Sequence, residues 1–505
     1  MRQIDYVLDR ITMYRLVLYI LIALICIACV FSYFSLVQST PQNIILSAIV
    51  LVGVGWIANG IFAWTFDAPT NFESVYITAL ILTLIMTPAK SFSDFPPLCW
   101  AVIFAMLSKF VLSYNKKHIF NPAAVGVVVT GLFLNQSASW WVGTAFMAPF
   151  VLLSGFLVIR KLQLYDLSWG FFMTVVLLSL IIGVTRGDSI ATSFLQVVLD
   201  SSMLFLGSIM ITEPLTLPPT KKLQMIYGVL VGVLSVPQLS IFNFSFSPEM
   251  ALCIGNIFSF SVSPKWKLVL LLKDKKRLAK DTVEFVFIPD KKFTYIPGQY
   301  MEWTLPHAHA DARGNRRFFT LASSPTEDNL LLGVRFFEDG SSYKKALTQI
   351  TNQTPLVAGQ LTGEFTLPKN PNGKLAFLAG GIGVTPFRSM IKYLTDSQID
   401  CDIVMCYANS VADEIAYKDI FDEAEKKIGL KVVYALTDKH RVPFGWDGEV
   451  GRVDEMLIRK VIPDFSTRLF YLSGPQSMVN NYEKMLKKIG VKQKMIKKDF
   501  FPGLI

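Results

Sequence analysis

Four stretches of the 505-residue chain carry side chains suited to a phosphorylated, planar ligand. Arg317-Phe318-Phe319-Thr320 joins a guanidinium that can grip a phosphate bidentately to two rings and a hydroxyl. Of these, Phe319 offers a stacking face and Thr320 a hydrogen bond to a ring nitrogen. Gly340-Ser341-Ser342 is a turn before an expected helix start, where free N–H groups suit a pyrophosphate. The segment Gly380-Gly381-Ile382-Gly383-Val384-Thr385-Pro386 leads from a strand into a helix and lets a dinucleotide backbone approach closely. Much later comes Ser473-Gly474-Pro475-Gln476-Ser477-Met478, a second strand-end glycine turn. A fifth feature is of another kind. In "SIMITEPLTLPPTKK" (208–222) the carboxylate of Glu213 stands at the end of a run apolar enough for a bilayer, where an acid is expensive.

The elements around these residues divide the chain into two materials. From Lys267 to Pro368, "KLVLLL", "TVEFVFIP", "YMEWTL" and "NLLLGVRFF" alternate as short strands of a small antiparallel barrel. From Lys374, strand–loop–helix units ("KLAFLAGGIGVTPFRSMIKYL", "CDIVMCYAN", "KVVYALT", "RLFYLSGP") predict a parallel sheet with crossover helices. The order "PGQY" (297–300), "RFFT", "GSS", "GGIGVTP", "SGPQSM", "DFFPG" (499–503) resembles the ferredoxin–NADP reductase family across 265–505. That resemblance implies non-covalent FAD on Arg317, Phe318, Phe319, Thr320, Gly340, Ser341 and Ser342. It also implies NAD(P)H over Gly380, Gly381, Gly383, Thr385, Pro386, Gly474, Pro475 and Met478, with Phe500 or Phe501 covering the flavin. Thr320 and Ser473 become the candidate catalytic residues, although many members carry Cys where Ser473 stands. "YANS" (407–410) and Lys418 do not separate NADH from NADPH.

Before Lys265 the chain is a series of about ten apolar runs: 15–38, 44–66, 73–88, 97–113, 121–134, 140–160, 165–184, 194–212, 223–243 and 249–263. Several have the roughly 20 residues a spanning helix needs, and the third and fifth are short enough to be broken. The first run follows Arg2, Arg10 and Arg15 with no small-residue cleavage site, as a retained anchor would. Basic loops after runs four, six, eight and ten put both ends in the cytoplasm, with one exception. The loop after run two holds Asp67 and Glu73 and no Lys or Arg. The 48 Lys and Arg against 38 Asp and Glu are thus partly explained by topology, and no nucleic-acid partner is expected.

The apolar half also echoes itself. "LTLIMTPAK" (82–90) matches "GSIMITEPL" (207–215), and "IFNPAAVG" (119–126) matches "SFSPEMAL" (245–252). Pro88 to Pro214 and Pro122 to Pro248 are the same 126-residue step. Repeats at about 15–137 and 141–263 hold five runs each, an odd number, so the second must be inverted. Inverted repeats place broken helices opposite one another with a ligand or ion between them, and Pro88 and Pro214 are the expected breaks. The carbonyl end of such a break favours a cation, which Glu213 would reinforce; alternatively Glu213 is solvated at a helix end near Lys221 and Lys222.

"HIFNPAAVG" (118–126), "MITEPLTLPPT" (210–220) and "PEMALCIGN" (248–256) resemble a family of membrane flavoproteins. Its members are the ten-span components of the Rnf complex and of the sodium-pumping NADH:quinone oxidoreductase (Rnf/Nqr). The resemblance implies a ten-span electron-transfer domain with FMN or riboflavin. Two departures stand out. Glu213-Pro214 replaces the family's Asp-Pro, and the flavin-attachment loop is reduced to "NQSAS" (135–139) without threonine. Thr192 in "DSIATS" (188–193) is the remaining attachment candidate, in a different loop.

The absences narrow the chemistry. Only His118 of the four histidines is near a run, beside Lys116 and Lys117, so paired haem ligands are missing. His307 and His309 read as a solvated loop, and the six cysteines give no iron–sulfur spacing and no structural disulfide. Cys26 and Cys29 share a helix face. No metal site is expected. The expected architecture is a polytopic α-helical membrane domain (1–264), an FAD-binding β-barrel (265–370) and an α/β NAD(P)-binding domain (371–505). The expected function is NAD(P)H oxidation with electrons passed through FAD to a membrane flavin or quinone site. From there they reach quinone or an extracytoplasmic flavoprotein, with additional membrane redox subunits and ion coupling open. The chain would sit in a bacterial-type inner membrane with its reductase half cytoplasmic. The competing expectation is an inverted-repeat channel or transporter with a fused NAD(P)H-sensing flavin domain.

Overall fold

The computed structural model describes residues 8, 11–66, 72–114, 117–199, 201–236, 239, 245–307, 311, 314–337, 340–368 and 373–499. The chain divides into two compact units, Met1–Lys265 with Ile505, and Trp266–Leu504.

In the first unit every apolar run becomes helix: α1 Met13–Tyr33, α2 Pro41–Thr65, α3 Phe72–Ile85, α4 Phe95–Val111, α5 Pro122–Leu134, α6 Ala148–Leu162, α7 Tyr165–Thr185, α8 Ile190–Leu199, α9 Ser201–Phe205, α10 Lys221–Ser235 and α11 Pro248–Val262. A π-helical turn, Leu206–Met210, prolongs α9. The starts are written in the sequence. Thr12, Thr40, Asn121, Thr220 and Ser247 each accept a backbone N–H of the first turn, and Pro occupies the first turn of α2, α5 and α11. Both expected breaks occur: α3 stops at Ile85 ahead of Pro88, and the π turn stops at Met210 ahead of Pro214.

Among the described residues, four helices are long and apolar enough to cross a bilayer: Met13–Tyr33, Pro41–Thr65, Phe92–Val111 and Tyr165–Thr185. The remaining runs give shorter helices than ten full spans require. Caps and prolines start them late and the breaks end them early. At 1.5 Å per residue, the 13 residues of α5 cover only about 20 Å. Buried α5 residues Ala123, Ala124 and Val127 show that this short helix is packed inside the unit. The outer faces are apolar: on α2, Ile49 is 62 %, Trp56 51 % and Trp64 86 % exposed. The packing also repeats with the 126-residue step. α2 lies on α4 as α7 lies on α10, and α4 lies on α5 as α10 lies on α11. α1 and α6 pair across the halves, as do α5 and α11. The basic-loop exception has a local remedy, for Glu73 at the start of α3 pairs with Arg15 of α1 at 2.9 Å.

In the second unit, β1 Leu268–Ala279, β2 Thr282–Pro289, β3 Tyr300–Thr304, β4 Arg316–Thr320, β5 Leu330–Arg335, α12 Ser342–Gln349 and β6 Leu356–Thr362 form the first part. Their sheet is antiparallel, in the order β4-β3-β6-β1-β2-β5. Trp303, Phe285, Phe287, Met301 and Tyr343 fill its interior. Next come β7 Leu375–Gly380, α13 Thr385–Asp396, β8 Ile403–Asn409, α14 Lys418–Ile428, β9 Lys431–Leu436, β10 Glu449–Val450, α15 Glu455–Val461, β11 Leu469–Ser473, α16 Gln476–Lys488 and β12 Ile496–Lys498. Every pairing in this sheet is parallel, in the order β10-β9-β8-β7-β11-β12. Neighbouring β7 and β11 end in the two glycine turns, because strand order reverses there and leaves a crevice at their carboxyl ends.

Candidate functional site

Strand alternation divides the Arg317–Thr320 group between two faces. Arg317 lies 5.2 Å from the Tyr343 ring and Phe319 6.0 Å from it, so both turn toward α12. Phe318 and Thr320 turn the other way, Phe318 lying 5.8 Å from Tyr300, the residue opposite Thr320 in the ladder. Phe319 is half-buried against the barrel core on the same face as Arg317, and Tyr300 and Phe318 supply the aromatic surface beside Thr320. Tyr300 closes the "PGQY" motif, whose residue types alone assign it no role.

The anion cradle is present and partly occupied from within. Ser342 N–H donates to Asp311 Oδ2 at 3.0 Å, and Arg317 Nη2 lies 3.6 Å from Asp311 Oδ1. Ser341 Oγ accepts Lys344 N–H at 3.3 Å and caps α12, while Gly340 N–H donates to Phe337 O at 3.0 Å. A carboxylate held by a guanidinium and a helix N-terminus shows that this donor set suits an anion. The residues therefore fit a group that carries a pyrophosphate, which Arg317 and the N-terminus of α12 would hold. His307 is not solvated as expected: Nε2 meets Ser342 Oγ at 3.0 Å and Nδ1 meets Leu305 O at 2.9 Å. His309, Phe500 and Phe501 lie outside the described residues.

The two glycine turns meet. A Cβ at Gly383 would stand 2.5 Å from Gly474 Cα, and one at Gly380 or Gly474 would strike Met478. Gly381, at φ +53°, and Gly474, at φ +149°, have backbone conformations that favour glycine. Thr385 Oγ1 donates to Ile382 O at 3.2 Å, and Pro386 falls in the first turn of α13. Pro475 closes on Gly380, its Cδ 3.4 Å from the position of a Cβ there. Ser473, buried at the end of β11, donates to Asp499 Oδ2 at 2.9 Å. Burial first, then the charges of Asp499 and Glu364, push the Tyr300 phenol above its ordinary range. Thr320 thus pairs with Tyr300 across the ladder, the Asp499 charge acts on Tyr300, and Asp499 accepts from Ser473.

A buried clamp fixes this alignment. Arg388 of α13 grips Glu327 with both terminal nitrogens, Nη2 to Oε1 at 2.8 Å, and Nη1 donates to Ala322 O at 3.1 Å. Ser389 Oγ donates to Ser323 O at 2.6 Å, and Tyr295 donates to Ser323 Oγ at 2.9 Å. The helix opened by Gly380–Pro386 is therefore bolted to the segment just after Thr320.

Three further residues lie near the glycine turns: Asn409, within the "YANS" stretch, and Arg335 and Glu414, which carry no local sequence signal. Arg335 Nη1 is 3.5 Å from the Cβ position of Gly381, and Arg335 Nη2 meets Glu414 Oε1 at 2.5 Å. Glu414 Oε2 accepts Ser410 N–H at 3.2 Å. Asn409, at the end of β8, is buried, with the Tyr407 hydroxyl within reach of its side chain. Lys418 is exposed and meets Asp422 at 3.4 Å. Burial pushes the Cys406 thiol up to about 12 and the Cys401 thiol to about 11, so neither is a thiolate near neutrality. No group of three metal-ligating residues occurs among the described residues.

In the first unit Glu213 is not simply solvated. Its Oε1 lies 2.9 Å from Nε2 of His118, a histidine whose neighbours in sequence are two lysines. Glu213 Oε2 is buried without a hydrogen-bond partner. A cavity of about 40 Å³ adjoins it, lined by Tyr14, Ser74, Thr78 and Asn121 among others. Thr192 lies elsewhere, exposed in the first turn of α8 and 2.7 Å from Ser189 Oγ.

Comparison with known proteins bears on the second unit. Residues 377–484 match the family described as "Oxidoreductase NAD-binding domain". The glycine betaine monooxygenase reductase subunit of Pseudomonas aeruginosa is 22 % identical over 210 residues, 41 % of this chain and 57 % of its own length. A flavohemoprotein of Oceanobacillus iheyensis is 25 % identical over 243 residues, 46 % of this chain and 58 % of its own length. The chain thus spans a little over half the length of these curated relatives. Among solved structures, the cytochrome b5 reductase domain of Ulva prolifera nitrate reductase matches with TM-score 0.42 and 19 % identity, over 47 % of this chain and 98 % of that one.

Proposed function

We propose, for a chain whose second unit matches reductases and their NAD-binding domain, that it oxidises NAD(P)H and passes the electrons to an acceptor in or beyond a membrane. The observation that carries this reading is the meeting of the two glycine turns beside Ser473–Asp499, aligned by Arg388 with the strand that ends at Thr320. Bound FAD would supply the conversion between hydride and single-electron transfer. Arg317, with the N-terminus of α12, holds the flavin pyrophosphate. Tyr300 and Phe318 wall the ring on the crevice side, and Thr320 hydrogen-bonds it. The dinucleotide lies over Gly380–Gly383 and Gly474, with Ser473 beside the nicotinamide. Arg335 stands by the pyrophosphate.

Glu414 supports NADH over NADPH. It already occupies the Ser410 amide, and a 2′-phosphate brought beside its carboxylate would meet like charge. The first unit is read as a membrane domain of two inverted five-helix halves. Its apolar outer faces, the paired breaks and the repeated packing support that reading. Its redox group is a flavin or quinone, the terminal acceptor quinone or an extracytoplasmic flavoprotein, and the second unit is cytoplasmic.

The deciding experiment is optical. Full-length protein in detergent should show a flavin band bleached by NADH faster than by NADPH and restored by a quinone analogue. More than one flavin per chain, all reduced by NADH, fits a conduit. A single flavin that reduces no quinone and no outside acceptor would leave the first unit without a redox role and sink the reading.

A further inference from the structure

The first unit buries a line of polar groups that its packing does not require. It starts at the His118–Glu213 pair, which joins positions from the two repeats. The adjoining cavity of about 40 Å³ has room for water, and within its largely apolar lining Tyr14, Ser74, Thr78, Asn121 and Glu213 offer that water polar partners. From Asn121, at the cavity wall, the backbone N–H donates to Asn256 Oδ1 at 2.8 Å. Asn256 Nδ2 in turn donates to the Tyr227 hydroxyl at 2.9 Å. Asn121 is 4 % exposed, and Asn256 and Tyr227 are fully buried.

Asn256 also belongs to a second line, along α11. Glu249, Cys253 and Asn256 share one helix face by their spacing, about 10 Å from first to last. Glu249 is 4 % exposed and accepts the Trp140 indole N–H at 3.2 Å. It has no ion-pair partner among the described residues. A lone carboxylate buried this way is costly, whereas a carboxylic acid with one hydrogen bond is not. The two acids differ in their surroundings. Glu213 faces His118, Lys109 and Tyr227, with the Arg15–Glu73 pair nearby on α1 and α3. Lys109 is itself held by Ser74 O and Oγ, each at 3.1 Å. Glu249 faces Trp140, Ser247, Cys253 and its own backbone N–H, with no cation among the groups that act on it in the described residues.

Their places in the repeat set them on opposite faces. Asn121 begins α5 and Ser247 begins α11, one 126-residue repeat later. On the inverted five-helix reading proposed above, on which this inference rests, an odd number of crossings separates those starts and sets the Glu249 end opposite the end where Lys221 and Lys222 flank Glu213. We propose that Glu213–His118 and Glu249 are the two ends of a buried proton path through the first unit, with Tyr227 and Asn256 ordering the water between them. A proton binds at His118 Nε2 or the Glu213 carboxylate, and one leaves the Glu249 carboxyl at the far end. No electron or chemical group moves with it.

The test needs no nicotinamide. Full-length protein is reconstituted in liposomes with a trapped pH dye, and a potassium diffusion potential is imposed with valinomycin. Wild-type vesicles should take up protons faster than protein-free vesicles. Glu249→Gln should slow uptake by about tenfold, and Glu249→Asp should recover part of it, as for an ionisable group acting inside a membrane. His118→Gln should slow it as well. The Glu249→Gln protein should elute in detergent as a single wild-type-like peak and melt at the wild-type temperature, which verifies folding of the first unit, and its NADH-dependent ferricyanide reduction should be unchanged, which reports the second unit. Wild-type vesicles no more permeable than protein-free ones, or Glu249→Gln and His118→Gln both matching wild type, would overturn the path. Because ferricyanide reduction is read separately, a failed path and a failed reductase assignment give different results.

Discussion

Ser473 and Arg317 are the residues whose removal should separate electron transfer from cofactor retention. Ser473→Ala loses the bond to Asp499 and one polar group at the nicotinamide turn, so hydride transfer should slow while flavin content stays full; stopped-flow reduction by NADH reads it. Arg317→Ala removes a charge-assisted bond worth about 1.5–3 kcal/mol. Flavin affinity should fall at least about tenfold, measured by the flavin retained on gel filtration. Residue types and order made these two legible, because few side chains can grip a phosphate or line a crowded turn. Tyr300 and Glu414 carried no local signal of a site role. Their roles come from non-local pairings, Tyr300 opposite Thr320 and Glu414 against Arg335, that no local pattern encodes.

At the level of elements, α13 depends on its clamp. Glu327→Gln removes the partner of a buried guanidinium and should cost about 3–5 kcal/mol of stability, seen as a lower denaturation midpoint of the second unit. Glu284, buried on β2, makes the opposite contribution at high pH. Burial raises its carboxyl above the ordinary Glu range, despite Arg388 and Tyr417. A raised folded-state value means the protonated form favours folding, so stability is complete in acid and lost as pH rises through that value. Glu284→Gln should therefore melt higher than wild type in mild alkali, and the gap should close in acid. Most strands and helices of this unit followed from alternation and glycine turns. β6 and the short β10 and β12 did not, since "LVAGQLT" alternates weakly and the other two are only 2 and 3 residues long. In the first unit the apolar runs announced every helix, but run length overstated helix length wherever a capped Pro or a break cut it.

Across the whole molecule, the buried apolar cores of the two units are separate: one draws only on residues before 253, the others only on residues after 266. Limited cleavage between Val262 and Leu268 should therefore release a fragment that still reduces ferricyanide with NADH, while the remainder stays with detergent or lipid. Loss of that activity on cleavage, with the flavin still bound, would show that the second unit depends on the first. The division was visible in composition alone, as the change from sparse charge to alternating charge near Lys265.

Asp311 gives the flavin cradle a property of timing. With its carboxylate on Ser342 N–H and 3.6 Å from Arg317, Asp311 already holds part of the donor set an incoming anion would use. Loading is then an exchange of one anion for another, and its affinity is the difference between two bindings rather than the whole of one. A newly made chain can fold around its own carboxylate and wait, with little attraction for stray phosphates. Weakening the occupant, as in Asp311→Asn, should speed flavin uptake and leave the cradle open to inorganic phosphate, which would then compete with the flavin.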